Sequence, residues 1–279
     1  MSYEPEQYWN ERYKTFRNVG HSDIDYYKYE ESIRFKIFRR LIKVISGIKM
    51  LDVGCGNGIW AIKNAKDKAE VTAVDISEEC IKAAEEKNKV YDTTVQFKVS
   101  KAEDIDFPDE QFDIVYSITV LQHIPTQEKL EQAVFKMIKT TKKEGRICIL
   151  EKAPLENTQS DVDHITIRTK QEWIDLFNKH GTVFIKEKAM PQVGYGLLRW
   201  YDRVIAFLLR KFARKILEES KQEKKEYSAT NEEKSIKIKI YNLGKKIILV
   251  FSWPIDHLLV YIPIYNKSVT RFLLFRRRS

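Results

Sequence analysis

The sequence predicts an α/β protein built on a doubly wound, largely parallel sheet. Two observations predict it. Short apolar runs of strand length alternate with segments of helical spacing through residue 188, and that alternation winds a parallel sheet. The first such run ends in a glycine turn, Gly54-Cys55-Gly56-Asn57-Gly58, directly before a helical segment. A turn of this kind lets backbone N–H groups approach a ligand and aims a helix N-terminus at it.

The elements follow in order. Residues 5–16 read as a short helix with Pro5 in its first turn, inside an aromatic-rich start that includes Tyr8, Trp9 and Tyr13. A second helix is expected over 31–45, where Ile33, Ile37, Leu41, Ile42 and Ile45 recur at three- and four-residue spacing. Ser46-Gly47 stops it. Residues 48–53 are the first strand and 59–68 its helix. Residues 71–75 are the second strand, closed by Asp75. Ser77 then caps a helix to about 88, with Glu78 and Glu79 in its first turn. Strands are expected at 95–99 and 112–117, and Thr126 caps a helix to about 140. Gly145 opens a fifth strand, 146–151. Thr169 and Glu172 form a capping box, His180-Gly181 ends that helix, and 183–188 is the sixth strand.

The glycine turn differs from the dinucleotide fingerprint G-x-G-x-x-G. Its spacing is D-x-G-x-G-x-G, with Asp52, Gly54, Gly56 and Gly58, and Asp75 ends the next strand. This pattern resembles motif I of the class I S-adenosylmethionine-dependent methyltransferases, of the type 11/12, ubiquinone/menaquinone-methyltransferase-like kind. The resemblance implies a Rossmann-like seven-stranded sheet, six strands parallel and the seventh antiparallel. The seventh is placed in 268–277. Residues 190–267 are then a helical insertion between strands six and seven. The expected organisation is an N-terminal helical cap, 1–46, a cofactor-binding core, 47–189 with 268–279, and the insertion as a lid.

The resemblance also implies the cofactor, S-adenosyl-L-methionine, and its contacts. Asp52, Gly54, Gly56 and Gly58 belong to the glycine turn. A carboxylate where Asp75 stands can accept both ribose hydroxyls of an adenosine, and Ile76 would lie against the adenine. The stretch 100–108 is similar to the family's G-D-A-x-x-L-P-F segment, so Ala102 would offer its N–H to the ring. Lys101 occupies the place of the aspartate that takes the exocyclic amine, which leaves that role to Glu103 or to backbone alone. Tyr13 sits in the Y-W…Y segment that folds over the cofactor. Ser117 closes the F-D-x-V/I-x-S/C pattern of strand four, and the methyl group and acceptor lie beside the turn after it.

Methyl transfer from a sulfonium is an in-line displacement, and the protein mainly positions the nucleophile and excludes water. A base is needed only where the nucleophile must lose a proton, as a hydroxyl does. Ligands in such sheets sit beyond the carboxyl ends of the strands. His123, after strand four, is the first candidate base, and His164, in the loop after strand five, is the second. No metal site is expected, because the sequence does not bring acids together. After strand four the chain reads Ser117-Ile118-Thr119-Val120, not the N-P-P-Y or D-P-P-Y of nucleobase N-methyltransferases, and it contains no Pro-Cys nucleophile. The expectation is O-methylation of a small-molecule, glycan or lipid-linked acceptor. The alternatives are an N-methyltransferase on RNA or protein, and a non-catalytic S-adenosylmethionine-binding partner subunit, to which Lys101 points.

Charge separates the chain into two parts. The net charge is +9 over 279 residues. Residues 191–279 hold 19 Lys and Arg against 8 Asp and Glu, whereas residues 1–190 hold 30 against 32. The basic part is the insertion together with the C-terminal strand. Within the insertion, 197–217 has helical spacing, with Arg199, Arg203, Arg210 and Arg214 on one face. Residues 218–234 are a charged connection, and 236–253 is a second helical candidate. The apolar run 247–264 is broken by Pro254, Asp256, His257 and Pro263, so a spanning helix is rejected. Two readings of the insertion stay open: a lid over the acceptor pocket, or a lid that also touches a membrane surface. No RNA-binding motif is visible, and nucleic acid is not the expected partner. Cys55, Cys80 and Cys148 have no metal-ligand spacing, and the polar start has no signal-peptide pattern. The expected place is the cytoplasm, with a membrane periphery as the extension of the second reading.

Overall fold

The computed structural model describes residues 3–20, 24–160, 162–191, 231–259 and 268–279, together with residues 197, 204 and 207. Seven strands form one sheet: β1 Lys49–Val53, β2 Glu70–Asp75, β3 Gln96–Val99, β4 Phe112–Ile118, β5 Thr141–Lys152, β6 Thr182–Ala189 and β7 Thr270–Arg277. Their order is β3-β2-β1-β4-β5-β7-β6. β7 runs antiparallel to both β5 and β6, and the pairs among β1–β5 are parallel. The helices are α1 Pro5–Phe16, α2 Ile24–Leu41, α3 Ile59–Lys66, α4 Glu78–Val90, α5 Gln127–Thr140, α6 Lys170–Lys179 and α7 Asn231–Leu259. The chain winds outward from β1 to β3, then returns to place β4 on the other side of β1. The switch point is therefore between β1 and β4, where a crevice opens in sheets of this kind.

The central strands are apolar on both faces because helices cover both. One face carries Met50, Tyr116, Cys148, Leu150 and Phe272 against α2, α3 and α7; the other carries Leu51, Val115, Ile147, Ile149 and Leu273 against α5 and α6. Successive residues of a strand point to opposite faces, and the two sets interleave accordingly. The first core is aromatic: the Phe38 ring lies 4.9 Å from Tyr116 and 5.1 Å from Trp60. These contacts tie α2 to the sheet and to α3.

Local structure follows the sequence closely, with three corrections. α2 covers 24–41 instead of 31–45, because the aromatic residues Tyr26, Tyr27 and Tyr29 are buried and extend the apolar stripe back by two turns. β5 begins at Thr141, before Gly145, and its pairing with β4 is interrupted by a register shift between Phe112 and Ile114. Regular pairing resumes at Arg146. α7 covers 231–259 and runs through Pro254, which the sequence suggested as an interruption. The four residues 231–234, expected in a charged connection, begin this helix. The helix expected over 197–217 lies, but for three residues, outside the described residues, as does all of 218–230.

α1 docks through Asn10. Its Oδ1 accepts from the Ser77 hydroxyl at 2.7 Å and from the Glu79 N–H at 3.3 Å. The Ser77 hydroxyl in turn accepts from the Cys80 N–H, capping α4. The N-terminal helix is thereby fixed over the same end of the sheet as the glycine turn. Among the described residues, no helix is long and apolar enough to cross a membrane.

Gly58 caps α3 with φ of 75°, and a Cβ there would stand 2.8 Å from both Ala84 and Phe97. Gly58→Ala should therefore destabilise the fold by about 1–3 kcal/mol, through left-handed strain and overpacking together. Urea unfolding against wild type measures it.

Candidate active site

A cleft opens at the carboxyl ends of β1, β2 and β4, where ligands sit in sheets of this kind. One end is lined by Gly54, Gly56, Asp75, Ile76, Ser100, Ala102 and Glu103. The other end is formed by Tyr3, Trp9, Val120, His123, Ile124 and Pro125. A second arm runs under the glycine turn between Asp52, Glu31, Arg34, Trp60 and Thr119.

Asp75 holds the first end. Its Oδ2 accepts from the Gly56 N–H at 2.7 Å and its Oδ1 from the Ser77 N–H at 2.9 Å. Burial pushes its carboxyl up to about 6 against those two bonds. Each oxygen keeps a second lone pair. Ala102 begins a short 3-10 turn, 102–104. Glu103 faces the cleft, with Lys129 at 3.9 Å from its carboxylate, and Lys101 is exposed off the wall.

The second arm has buried polar atoms without hydrogen-bond partners: Asp52 Oδ2 and Arg34 Nε. Burial pushes the Asp52 carboxyl up to about 8, although the Tyr116 hydroxyl bonds to it. Tyr116 is itself held by Asn64 Nδ2 at 3.1 Å. Glu31 accepts from Trp60 Nε1 at 2.5 Å and pairs with Arg34 at 2.9 Å. The arm thus presents two carboxyl groups and one guanidinium to whatever enters it.

The turn after β4 builds the other end of the cleft. Thr119 sits at φ of 56°, a strained conformation for a β-branched residue. Glu151, at the end of β5 and fully buried, accepts the N–H groups of Val120, Leu121 and Gln122 at 3.1, 2.9 and 3.2 Å. These bonds hold the turn in place. Burial raises the Glu151 carboxyl to about 8, opposed by the three N–H donors. The Lys152 N–H donates to Gln122 Oε1 at 2.9 Å, so the Gln122 amide nitrogen faces His123 Nε2, 3.3 Å away. His123 Nδ1 donates to the His164 carbonyl at 3.1 Å, which leaves Nε2 as the unprotonated nitrogen. Burial pushes His123 down to about 4, against the bond to the His164 carbonyl, which favours the protonated ring.

The residues expected from sequence separate into two groups. Gly54, Gly56, Asp75, Ile76, Ala102, Glu103 and His123 line the cleft, and Asp52 lines the second arm. Four stand off both. Tyr13 is buried one helical turn beyond Trp9, within electrostatic reach of Cys80 and Glu86 on α4; with α1 pinned at Asn10, Trp9 takes the position over the cleft. Ser117 is buried inside β4 and does not reach the wall, while Ile118 and Thr119 do. Gly58 packs behind the turn. His164 stacks on His123 with ring centres 5.3 Å apart, beside Tyr3 and Tyr8. It acts on the wall through its backbone carbonyl. Sequence reasoning missed Glu31 and Arg34. The only signal for them was an acid and a base three apart on a helix, which is usually a solvated pair.

Comparison with known proteins agrees with this geometry. Residues 50–145 match the family described as a methyltransferase domain. A ubiquinone biosynthesis O-methyltransferase of Pseudomonas fluorescens is 34% identical over 97 residues, covering 34% of this chain and 41% of that protein. The matched region thus spans about two fifths of the relative's length. A solved protein of Pyrococcus horikoshii superposes with a TM-score of 0.55 at 21% identity, covering 65% of this chain and 93% of that one. The cyclase SpnF also superposes, with a TM-score of 0.55 at 14% identity over 88% and 81% of the two chains. A cyclase on this fold means that the fold alone does not determine the reaction.

Two outcomes are expected. His123 should stay neutral down to about pH 4, whereas an unfolded histidine titrates near 6.5. Folding then releases a proton in that window, and stability falls as the pH drops through it by roughly 3 kcal/mol. His123→Gln should flatten this slope in urea titrations at several pH values. Asp75, shifted upward, contributes with the opposite sign in part of the window, so only the difference from wild type is diagnostic. Glu151→Gln keeps one acceptor oxygen and turns an NH2 toward backbone N–H groups. A loss of about 1–3 kcal/mol is expected by the same method.

Proposed function

We propose, on the premise that residues 50–145 form a class I S-adenosylmethionine-dependent methyltransferase domain, that the protein methylates an oxygen of a small or lipid-linked acceptor. The donor is S-adenosyl-L-methionine. The observation that carries this reading is a cleft with a hydroxyl-accepting carboxylate at one end and an apolar wall with one neutral imidazole at the other.

The residues fit the cofactor. Asp75 has lone pairs to spare for the two ribose hydroxyls, and Ile76 offers an apolar face to the base. Ala102 supplies a backbone N–H, and Glu103 can accept from an exocyclic amine where Lys101 could not. In the second arm, the unpartnered Asp52 oxygen and Glu31 suit an ammonium, and Arg34 suits a carboxylate. Bound there, the cofactor supplies a methyl group already activated by its sulfonium.

At the other end, Trp9, Tyr3, Val120, Ile124 and Pro125 exclude water and favour an apolar acceptor. Among the described residues, His123 Nε2 is the side-chain base on this wall; its lone pair takes the Gln122 amide N–H at 3.3 Å, so an acceptor hydroxyl must displace that amide before the neutral imidazole can take its proton. Its depressed pKa keeps it unprotonated at neutral pH and also makes it a weak base, so orientation of the acceptor carries most of its contribution. The relatives' name as an O-methyltransferase supports oxygen as the atom methylated. The three free cysteines support a reducing compartment, and we place the protein in the cytoplasm, peripheral to a membrane.

Calorimetric titration of S-adenosylmethionine into the purified chain tests the reading. Micromolar binding is expected, weakened about tenfold or more by Asp75→Ala and by Arg34→Met. A folded wild-type protein that takes up no S-adenosylmethionine would sink the proposal.

A further inference from the structure

α7 lies along α2, with Lys246 3.9 Å from Asp25 and Trp253 Nε1 donating to Ser32 Oγ at 3.3 Å. Its inner face is buried: Leu249 and Ser252 are covered, and Ile248 packs on the aromatic core. At 3.6 residues per turn, Leu243, Ile247, Val250 and Phe251 fall on the opposite side. A solvated helix would carry polar residues there. These four apolar side chains are instead between 47% and 73% exposed.

We propose that this outward stripe of α7 docks the protein on an anionic lipid surface. Charge decides among occupants. Within α7, five lysines (234, 237, 239, 245 and 246) outnumber Glu232 and Glu233 in the first half, and the second half has a single carboxylate, Asp256. Basic residues leading into an outward apolar face with an aromatic side chain are the composition of an interfacial helix. A second copy of the chain would bring the same excess, 19 basic against 8 acidic residues over 191–279, and like charge disfavours that pairing. Anionic headgroups complement it. α2, which carries the stripe's helix on one side, contributes Glu31 and Arg34 to the cleft arm on the other. The docked surface is thus one helix away from the site.

Flotation of the full chain with vesicles, without cofactor, tests this separately from methyl transfer. Binding is expected to phosphatidylcholine vesicles containing phosphatidylglycerol, and not to phosphatidylcholine alone, with affinity falling as NaCl rises. Phe251→Glu and Val250→Glu should each weaken it about tenfold, while Phe251→Leu retains it. Both acidic variants should keep the wild-type melting temperature and S-adenosylmethionine titration, since the altered side chains point outward. Absence of binding to the anionic vesicles would overturn the proposal, as would binding indifferent to the two variants. A dimer in light scattering that Phe251→Glu dissolves would assign the stripe to a second copy instead.

Discussion

The carboxylate of Asp75 bonds to the N–H of Gly56 at 2.7 Å and of Ser77 at 2.9 Å, and the cleft depends on that pair. One bond ties the glycine turn after β1 to the end of β2. The other sets the start of α4, whose cap, Ser77, also receives Asn10 of α1. A single buried acid therefore positions three elements around one end of the cleft. The cost is desolvation, visible in its raised pKa, and the backbone donors offset part of it.

The other side of the switch point repeats the device. Glu151 ends β5 as Asp75 ends β2, is buried, and spends its oxygens on the three consecutive N–H groups of the turn that carries His123. Short polar turns cannot be held by packing alone, since their backbone donors would otherwise be buried without partners. A strand-end carboxylate solves this on both banks of the crevice. It also explains how the strained Thr119 persists: its own N–H is held by Leu150 at 2.7 Å and the next three by Glu151.

The two charge regimes of the chain correspond to two tasks. The near-neutral first part builds the sheet, the cleft and its carboxylates. The basic last third contributes α7, which supports α2 from behind, and β7, which pairs between β5 and β6. Because α2 lines the second arm with Glu31 and Arg34 on one side and receives α7 on the other, α7 is one helix removed from the cleft.

The sequence by itself determined the strand–helix alternation, the glycine turn, the caps at Ser77, Thr126 and Thr169, and the acid at the end of β2. Each is a local matter, set by periodicity or by which residue can adopt a given backbone shape. It also sufficed for the wall residues next to those signals: Gly54, Gly56, Asp75, Ile76, Ala102, Glu103 and His123 all lie at or just after a strand end. Only the tertiary structure decided the rest. Whether Trp9 or Tyr13 covers the cleft depends on where Asn10 pins α1, and no local pattern records a contact 67 residues away. That His164 contributes a backbone carbonyl, and that Glu31 and Arg34 line the second arm of the cleft instead of facing solvent, likewise depend on long-range packing. Burial is a property of the assembled layers, and it turns ordinary surface residue types into site residues.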